Sequence, residues 1–493
     1  MIKMLYYWKT LDSIKKPLYY CENKEFMIQY LSMREILKNE LEYIEKIKNI
    51  VGDEKKATVI TFGCQMNAKD SEKYEGILEK CGFKLCNDEE NADFVLFNTC
   101  TIRENANKRL YGRIGQLKNS YYKNKNKIIG ICGCMMQEED EVSYIKNKYP
   151  YVKLIFGTHN IYNFPKLLYD VLKEQKRNIE IVPDNNIIVE NLPSHRKYSF
   201  KCGINIMFGC NNFCSYCIVP YVRGREKSRN SEDIINEIKN LVKDRVVEVM
   251  LLGQNVNSYG NDNSNYSFPE LLENVSKIEG LKRIRFMTSH PKDFSDELIE
   301  VIKNNKNICR HIHLPLQSGS NKILKLMNRK YTREHYLNII NKIKNNIKDV
   351  SITTDIIVGF PNEDEEDFND TLSIIKEVGF DSVFTFEYSK RTGTVASKME
   401  NQVDEKIVKI RFKKLLDTIN EMNKNKFDKF IGNTYEVLVE EKDRENNLYL
   451  SRLSNNIICY IEGNDDMIGK FYDVKVLNNH GFYLDGEVVK NDK

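Results

Sequence analysis

Gly209-Cys210-Asn211-Asn212-Phe213-Cys214-Ser215-Tyr216-Cys217 is the stretch from which the rest of this chain is read. Its C-x3-C-x2-C spacing lets three thiolates wrap three irons of one cubane cluster and offers no fourth thiolate for the remaining iron. Ferredoxins that only pass electrons close that vertex with a fourth cysteine, so a vacancy implies that a substrate or cofactor binds there. A structural zinc loop would call for paired C-x2-C units and a fourth ligand, and this stretch supplies neither. The apolar run Ile204 to Phe208 just ahead of the loop reads as a strand, which puts the cluster at a strand's carboxyl end.

Working outward, the alternation of strand and helix repeats about six times from Ile204 to about Phe386. The candidate strands are Ile204–Phe208, Glu248–Leu252, Arg283–Met287, His311–Leu314, Ser351–Val358 and Ser382–Phe386. The segments Ser231 to Val242 and Thr332 to Ile347 carry helical spacing and start with capping residues. Repeated βα units predict a parallel sheet that curls into a barrel or partial barrel, with its site at the carboxyl ends of the strands. Gly253-Gln254-Asn255, Ser289-His290-Pro291, Gln317-Ser318-Gly319-Ser320 and Gly359-Phe360-Pro361 follow other strands and are expected to line the same pocket.

A second group of cysteines is scattered in the sequence but shares a placement. Cys64 ends the run Ala57 to Phe62, Cys100 follows Phe94 to Phe97, and Cys134 follows Ile128 to Ile131. These short β-branched and aromatic runs read as buried parallel strands of an open α/β domain. Such sheets bind ligands at the carboxyl ends of their strands, so the three thiols are expected to converge as a second three-cysteine set. Any one of them alone reads as an ordinary core residue.

Composition fits a soluble enzyme of about three domains: 493 residues, 41% hydrophobic, thirteen cysteines and a net charge of +4. No apolar run reaches the roughly eighteen residues of a membrane span, and Met1 to Thr10 lacks the apolar region of a signal peptide. An odd cysteine count in a long chain argues for reduced thiols and a cytoplasmic location. The division expected is an extension at 1–55, an α/β domain at 56–175, a polar linker around Asn185 to Lys197, a barrel core at 196–430 and a tail at 431–493. The extension carries a helical pattern, Met33 to Ile50, with Leu37, Leu41, Ile44 and Ile47 on one face. The tail alternates short strands, Tyr435–Glu440, Ile457–Glu462 and Phe471–Leu477, and reads as a small antiparallel barrel of a kind used for oligonucleotides. From Ile431 to Lys493 it holds seven Lys plus Arg against twelve Asp plus Glu, so RNA binding there rests on stacking and local patches.

Longer strings carry a family resemblance. Thr61-Phe62-Gly63-Cys64-Gln65-Met66-Asn67 with Asp70-Ser71-Glu72, Asn98-Thr99-Cys100 with Arg103-Glu104, and Gly133-Cys134-Met135 resemble the amino-terminal domain of the methylthiotransferases. Cys214 to Tyr221 with Arg223-Gly224-Arg225-Glu226, Gly253 to Tyr259, Ser289-His290-Pro291 and Met327-Asn328-Arg329-Lys330-Tyr331 resemble the radical S-adenosylmethionine (SAM) methylthiotransferases of the MiaB type, and the tail resembles a TRAM RNA-binding domain. The likeness covers residues 56 to 490.

That resemblance implies methylthiolation of carbon 2 of N6-isopentenyladenosine at position 37 of tRNA. It implies two 4Fe-4S clusters, one on Cys210, Cys214 and Cys217 that chelates SAM and cleaves it to a radical, and an auxiliary one on Cys64, Cys100 and Cys134 that carries sulfur. SAM is then both methyl donor and radical source, and the cofactor performs the difficult step. Implied partners are the tRNA anticodon stem-loop, a reduced flavodoxin or ferredoxin-type electron donor and a sulfur donor. A monomer without membrane contact is expected.

Tyr216, Gln254, Asn255, Ile357 and Gly359 are candidate SAM contacts by the same resemblance. Each also has a plain structural reading: Tyr216 as packing, Gln254 and Asn255 as loop stabilisers, Ile357 and Gly359 as part of a buried strand. Arg223 and Arg225 are open to RNA or second-cluster contact but read more readily as surface charge. His290, His311 and His313 read as structural. The chain departs from the family at Arg391-Thr392-Gly393-Thr394-Val395-Ala396, where two prolines are usual, and at Asn362, where a glycine is usual. Two other readings remain: a sister methylthiotransferase acting on threonylcarbamoyl-adenosine or a ribosomal-protein aspartate, and a non-catalytic iron-sulfur RNA-binding redox sensor.

Overall fold

Apolar runs without polar alternation form strands where both faces are covered, and the amino-terminal third follows that rule. The computed structural model describes residues 24–101, 104–184, 187–262 and 266–489. In it β1 (Lys56–Thr61), β2 (Lys84–Leu85), β3 (Phe94–Thr99), β4 (Ile128–Gly133), β5 (Val152–Phe156) and β6 (Asn178–Glu180) form one parallel sheet, ordered β2-β1-β3-β4-β5-β6. Every residue of β3 and β4 is buried. Helices Lys24–Val51, Gln65–Lys80 and Phe164–Glu174 cover one face, and Glu104–Lys123 and Glu139–Lys148 cover the other. Helix Lys24–Val51 belongs to the segment that the sequence sets apart as an extension, yet its Ile44, Ile47 and Val51 pack into the core with Ala57, Tyr74 and Leu168. Residues 1–23 of that extension, the Leu37 side chain and Arg103 lie outside the described residues.

The middle of the chain builds an open barrel. β7 (Lys201–Asn205), β10 (Glu248–Leu252) and β11 (Arg283–Phe286) form one parallel sheet, and β12 (His311–His313), β13 (Ser351–Val358) and β14 (Ser382–Glu387) form another. An isolated parallel bridge, Ile284–Ile308, ties β11 to the segment that leads into β12. Side-chain caps start the outer helices as the sequence suggests: Asn230 ahead of Ser231–Lys243 and Thr332 ahead of Arg333–Asn346. The first strand differs from expectation. It leaves the sheet after Asn205, and β8 (Met207–Phe208) pairs antiparallel with β9 (Lys227–Ser228). Residues 209–226, which include the C-x3-C-x2-C stretch, are therefore held at both ends by a short ribbon.

The tail closes into a barrel, β15 (Thr434–Lys442), β16 (Tyr449–Leu453), β17 (Ile458–Ile461), β19 (Leu484–Val488) and β18 (Phe471–Asn479) in that ring order. It is not wholly antiparallel, because β17 and β19 run parallel. A closed ring of five strands cannot alternate direction throughout, so one parallel pair is a matter of parity. This barrel sits under the amino-terminal end of the central one. Arg283 and Arg285, neighbours on one face of β11, donate to the carbonyl oxygens of Arg452 (2.7 Å) and Leu453 (3.0 Å), and Arg285 also pairs with buried Glu248 at 3.1 Å. The floor of the central barrel is thereby stopped, and its carboxyl end stays open. Among the described residues no helix is long and apolar enough to cross a membrane.

Candidate cluster and cofactor site

The short cysteine loop keeps its shape through local strain and a neighbouring amide. Phe213, between Cys210 and Cys214, has φ +47°, a left-handed conformation that a bulky residue adopts only when its surroundings enforce it. The Asn328 side-chain amide donates to the carbonyls of Asn212 (3.2 Å) and Phe213 (2.9 Å), and the Arg225 guanidinium lies 4.2 Å from the centre of the Phe213 ring. Ser215 donates to Leu326 O at 2.8 Å and accepts from Ala396 N at 2.7 Å. Burial pushes the Cys217 thiol up to about 12 and the Cys210 thiol up to about 11, with Cys214 adding to both. Arg329, buried, donates to Cys214 Sγ at 3.3 Å and to Pro315 O at 3.0 Å.

The scattered triad does converge, at the carboxyl ends of β1, β3 and β4. Two glycines let the strand ends approach. A Cβ on Gly63 (φ +125°) would lie 2.4 Å from Cys100 Cβ, and one on Gly133 (φ +100°) would lie 2.4 Å from Thr99 O; no other residue type fits either place. Asn67, fully buried, donates to Thr99 O at 2.7 Å and presents its Oδ1 to Cys64 Sγ at 3.4 Å and Cys134 Sγ at 4.0 Å. Burial pushes the Cys134 thiol up to about 12, and Arg223 works against that rise.

Arg223 comes from the barrel core, not from the sheet that carries these cysteines. Its Nε donates to Cys134 Sγ at 3.1 Å, and its Nη2 lies 3.1 Å from both Asn67 Oδ1 and Asp70 Oδ2. The reading of an arginine pair on the surface therefore fails for one member: Arg223 is buried, and Arg225 is exposed. Ile218 and Val222 pack against Cys134 in the same place. Ile218 is the next residue after Cys217, so the loop of the first triad runs beside a member of the second. Among the described residues no three His, Cys, Asp or Glu side chains close around a single metal ion.

The open end of the barrel holds polar atoms with nothing to bind. Both side-chain polar atoms of Asn205, Oε1 of Gln254, Oγ of Ser289 and the hydroxyl of Tyr388 are buried without a hydrogen-bond partner, and such groups are costly unless something satisfies them. Asn205, Gln254 and Ser289 end or follow β7, β10 and β11, so they crowd one rim. The Gln254 amide nitrogen faces Met66 of the amino-terminal domain. Asn255 is used internally, donating to Asp293 Oδ2 at 2.7 Å and accepting from His290 N at 3.2 Å. Tyr216 and Ile357 share an apolar cluster with Met327, Phe360 and Tyr388. Gly359 is packed under Val408, whose Cγ2 would lie 2.4 Å from any added Cβ. The three histidines are held by the fold rather than aimed at a ligand. Burial, with Arg329 next, holds His290 far below its ordinary range, burial lowers His311 to about 3, and His311 and His313 share the Thr353 hydroxyl at 3.1 and 3.0 Å. Sequence reading assigned no role to Arg329, Asn205 or Tyr388; for Arg329 the signal lay in the string Met327 to Tyr331.

An open parallel barrel with a three-cysteine loop at its carboxyl end defines a radical SAM protein, and the comparisons agree. The radical SAM superfamily profile matches residues 204–375, a profile described as uncharacterized protein family UPF0004 matches 56–157, and the TRAM domain matches 428–489. The tRNA-2-methylthio-N(6)-dimethylallyladenosine synthase of Lachnoclostridium phytofermentans is 55% identical over 91% of this chain and 98% of its own length. That of Thermoanaerobacter pseudethanolicus is 49% identical over 92% and 98%. The solved radical SAM methyltransferase TsrM of Kitasatospora setae shares the fold, with a TM-score of 0.50 at 13% identity over 67% of this chain and 72% of that one. The chain belongs to the tRNA-2-methylthio-N(6)-dimethylallyladenosine synthase family. Membership implies SAM and 4Fe-4S clusters as cofactors, and two sets of three thiols beside unpartnered rim groups fit them.

Proposed function

We propose that this protein is the enzyme that places a methylthio group on carbon 2 of N6-dimethylallyladenosine at position 37 of tRNAs. One observation supports the reading: Ile218, which follows Cys217 in the chain, shares a small apolar cluster with Cys134, as two thiol sets that act on one nucleotide require. Cys210, Cys214 and Cys217 hold the cluster that binds SAM, and Cys64, Cys100 and Cys134 hold the auxiliary one. When bound, these groups supply one-electron cleavage of a sulfonium bond and a methylthio group, chemistry that no side-chain acid or base performs on an unactivated C–H.

The chain's own residues bind, orient and exclude water. Asn205, Gln254 and Ser289 offer their unpartnered groups to the polar parts of SAM, and Tyr216 with Ile357 offers apolar surface to its adenine. Arg329 and Arg223 place a fixed positive charge against a cysteine of each set, which stabilises anionic sulfur in a dry site. Asn255 acts on the site through the His290 turn. The TRAM barrel contributes to holding the anticodon stem-loop, and a flavodoxin or ferredoxin-type donor and a sulfur source serve a cytoplasmic monomer.

The test is nucleoside mass spectrometry of tRNA from cells with and without the gene, paired with iron analysis of the anaerobic protein. Loss of the 2-methylthio nucleoside with accumulation of its dimethylallyl precursor is expected, as is iron for two clusters. Unchanged nucleosides, or iron for one cluster, would remove the reading.

A further inference from the structure

The last strand of the barrel exposes two large aromatic side chains where strands of this kind are normally covered. Phe384 is 47% and Phe386 41% exposed. β14 pairs with β13 along one edge, in a register that sets Phe384 beside Asp355 and Phe386 beside Ile357. Partners in a parallel ladder point to the same side, and that side is the inner one. It carries Thr353, which holds His311 and His313, and the His313 ring meets Phe384 edge-on at 5.7 Å. The opposite face, with Ile352, Ile356 and Val383, packs on the outer helices. Continuing at the same spacing of two, Tyr388 packs on Phe360 and joins the cluster that contains Tyr216 and Ile357. An aromatic stripe therefore runs along the open edge of the barrel to the mouth where the cysteine loop sits.

Solvent-facing apolar area of this kind signals a binding surface, and its place limits what can lie on it. In adenine, carbons 2 and 6 flank N1, so a nucleotide whose carbon 2 points to the two thiol sets sends its N6 substituent off to one side of them, along the wall of the mouth. We propose that Phe384 and Phe386 form the platform for the dimethylallyl chain of the target adenosine and set the preference for the prenylated nucleotide. The inference rests on the function proposed above and adds the residues that read the substituent. Aromatic faces suit it because a branched five-carbon alkene has no hydrogen-bonding atom, so contact area alone can recognise it. Apolar pockets discriminate small alkyl differences by roughly 10- to 200-fold.

Binding of a fluorescent anticodon stem-loop, with and without the dimethylallyl group, to the reconstituted holoenzyme tests this. The parent is expected to prefer the prenylated stem-loop by about tenfold or more. Phe384→Ala/Phe386→Ala should bring the two affinities together by weakening the prenylated one alone, and Phe384→Leu/Phe386→Leu should keep most of the preference. Variants are compared at parental iron content, and if the double alanine variant does not hold iron, F384A and F386A singly carry the same comparison. A preference that survives the alanine changes overturns the platform, as does equal weakening of both stem-loops, which would mean contact with the base or backbone. Methylthio product from the parent is followed in parallel. Its absence defeats the proposed function, whereas product together with an undisturbed binding ratio defeats only the platform.

Discussion

The two cysteine triads solve one problem by opposite routes. Cys210, Cys214 and Cys217 sit within one loop, held at its base by two residue pairs of β8 and β9 and braced by Asn328. Cys64, Cys100 and Cys134 are brought together by three strand ends, and their approach depends on Gly63, Gly133 and an arginine from another part of the chain. The first triad is a local object. The second exists only as long as the amino-terminal sheet and its contact with the barrel do, so damage should fall on it first.

The largest effect expected separates the two roles outright. Cys214→Ala abolishes both 5′-deoxyadenosine formation and modified nucleoside, whereas Cys100→Ala leaves some 5′-deoxyadenosine and eliminates the methylthio product. Chromatography of the small molecule and mass spectrometry of the nucleoside check this, and thiolation persisting in the Cys100 variant would erase the distinction.

Next comes the bridge between the halves. Arg223→Met leaves the Asp70 carboxylate buried without its cation, a loss worth about 3–5 kcal/mol, seen as a lower unfolding midpoint and poorer iron retention at the auxiliary set. Gly133→Ala should cost somewhat less, about 2–4 kcal/mol, because its methyl group meets the Thr99 carbonyl rather than a movable side chain. Iron should fall towards one cluster's worth while 5′-deoxyadenosine formation survives. Equal loss of both would mean that the two triads are not separable.

The smallest effect is a pH dependence on the sheet's side only. Glu40, on the helix that backs the sheet, is buried with Oε1 unpartnered, and burial lifts its carboxyl from 4.5 to about 8 against the pull of Lys73. The folded state thus holds a proton that the unfolded chain releases. The associated stability is fully present below about 4.5 and is lost as pH rises through about 8. Glu40→Gln should flatten that slope and gain about 1–3 kcal/mol at the alkaline end, measured as the difference in unfolding midpoint between mildly acidic and mildly alkaline buffer.

What could be read from the chain follows the same division. That Cys64, Cys100 and Cys134 converge was legible because strand-end placement is a one-dimensional signal. The strands β10, β11 and β13 fall within a residue of the runs that announced them. Arg223 was not legible, since nothing in Arg223-Gly224-Arg225 says that one guanidinium turns inward to a thiol on another sheet. Nor was the aromatic stripe: Phe384 and Phe386 look like ordinary strand residues until the missing neighbour of β14 exposes them. Asn255 shows the converse, a residue in a suggestive string whose polar groups are already spent on Asp293 and His290.

Arg283 and Arg285 reach down to carbonyl oxygens of the carboxyl-terminal barrel, and that contact gives the tail a second duty. A module usually regarded as a handle for RNA is here also the bung of the vessel in which a radical must survive. Trimming it would uncork the vessel from beneath, stripping Arg283 of its acceptors while Arg285 kept only Glu248, and would open a way in for solvent, so substrate grip and shelter from water are inherited together.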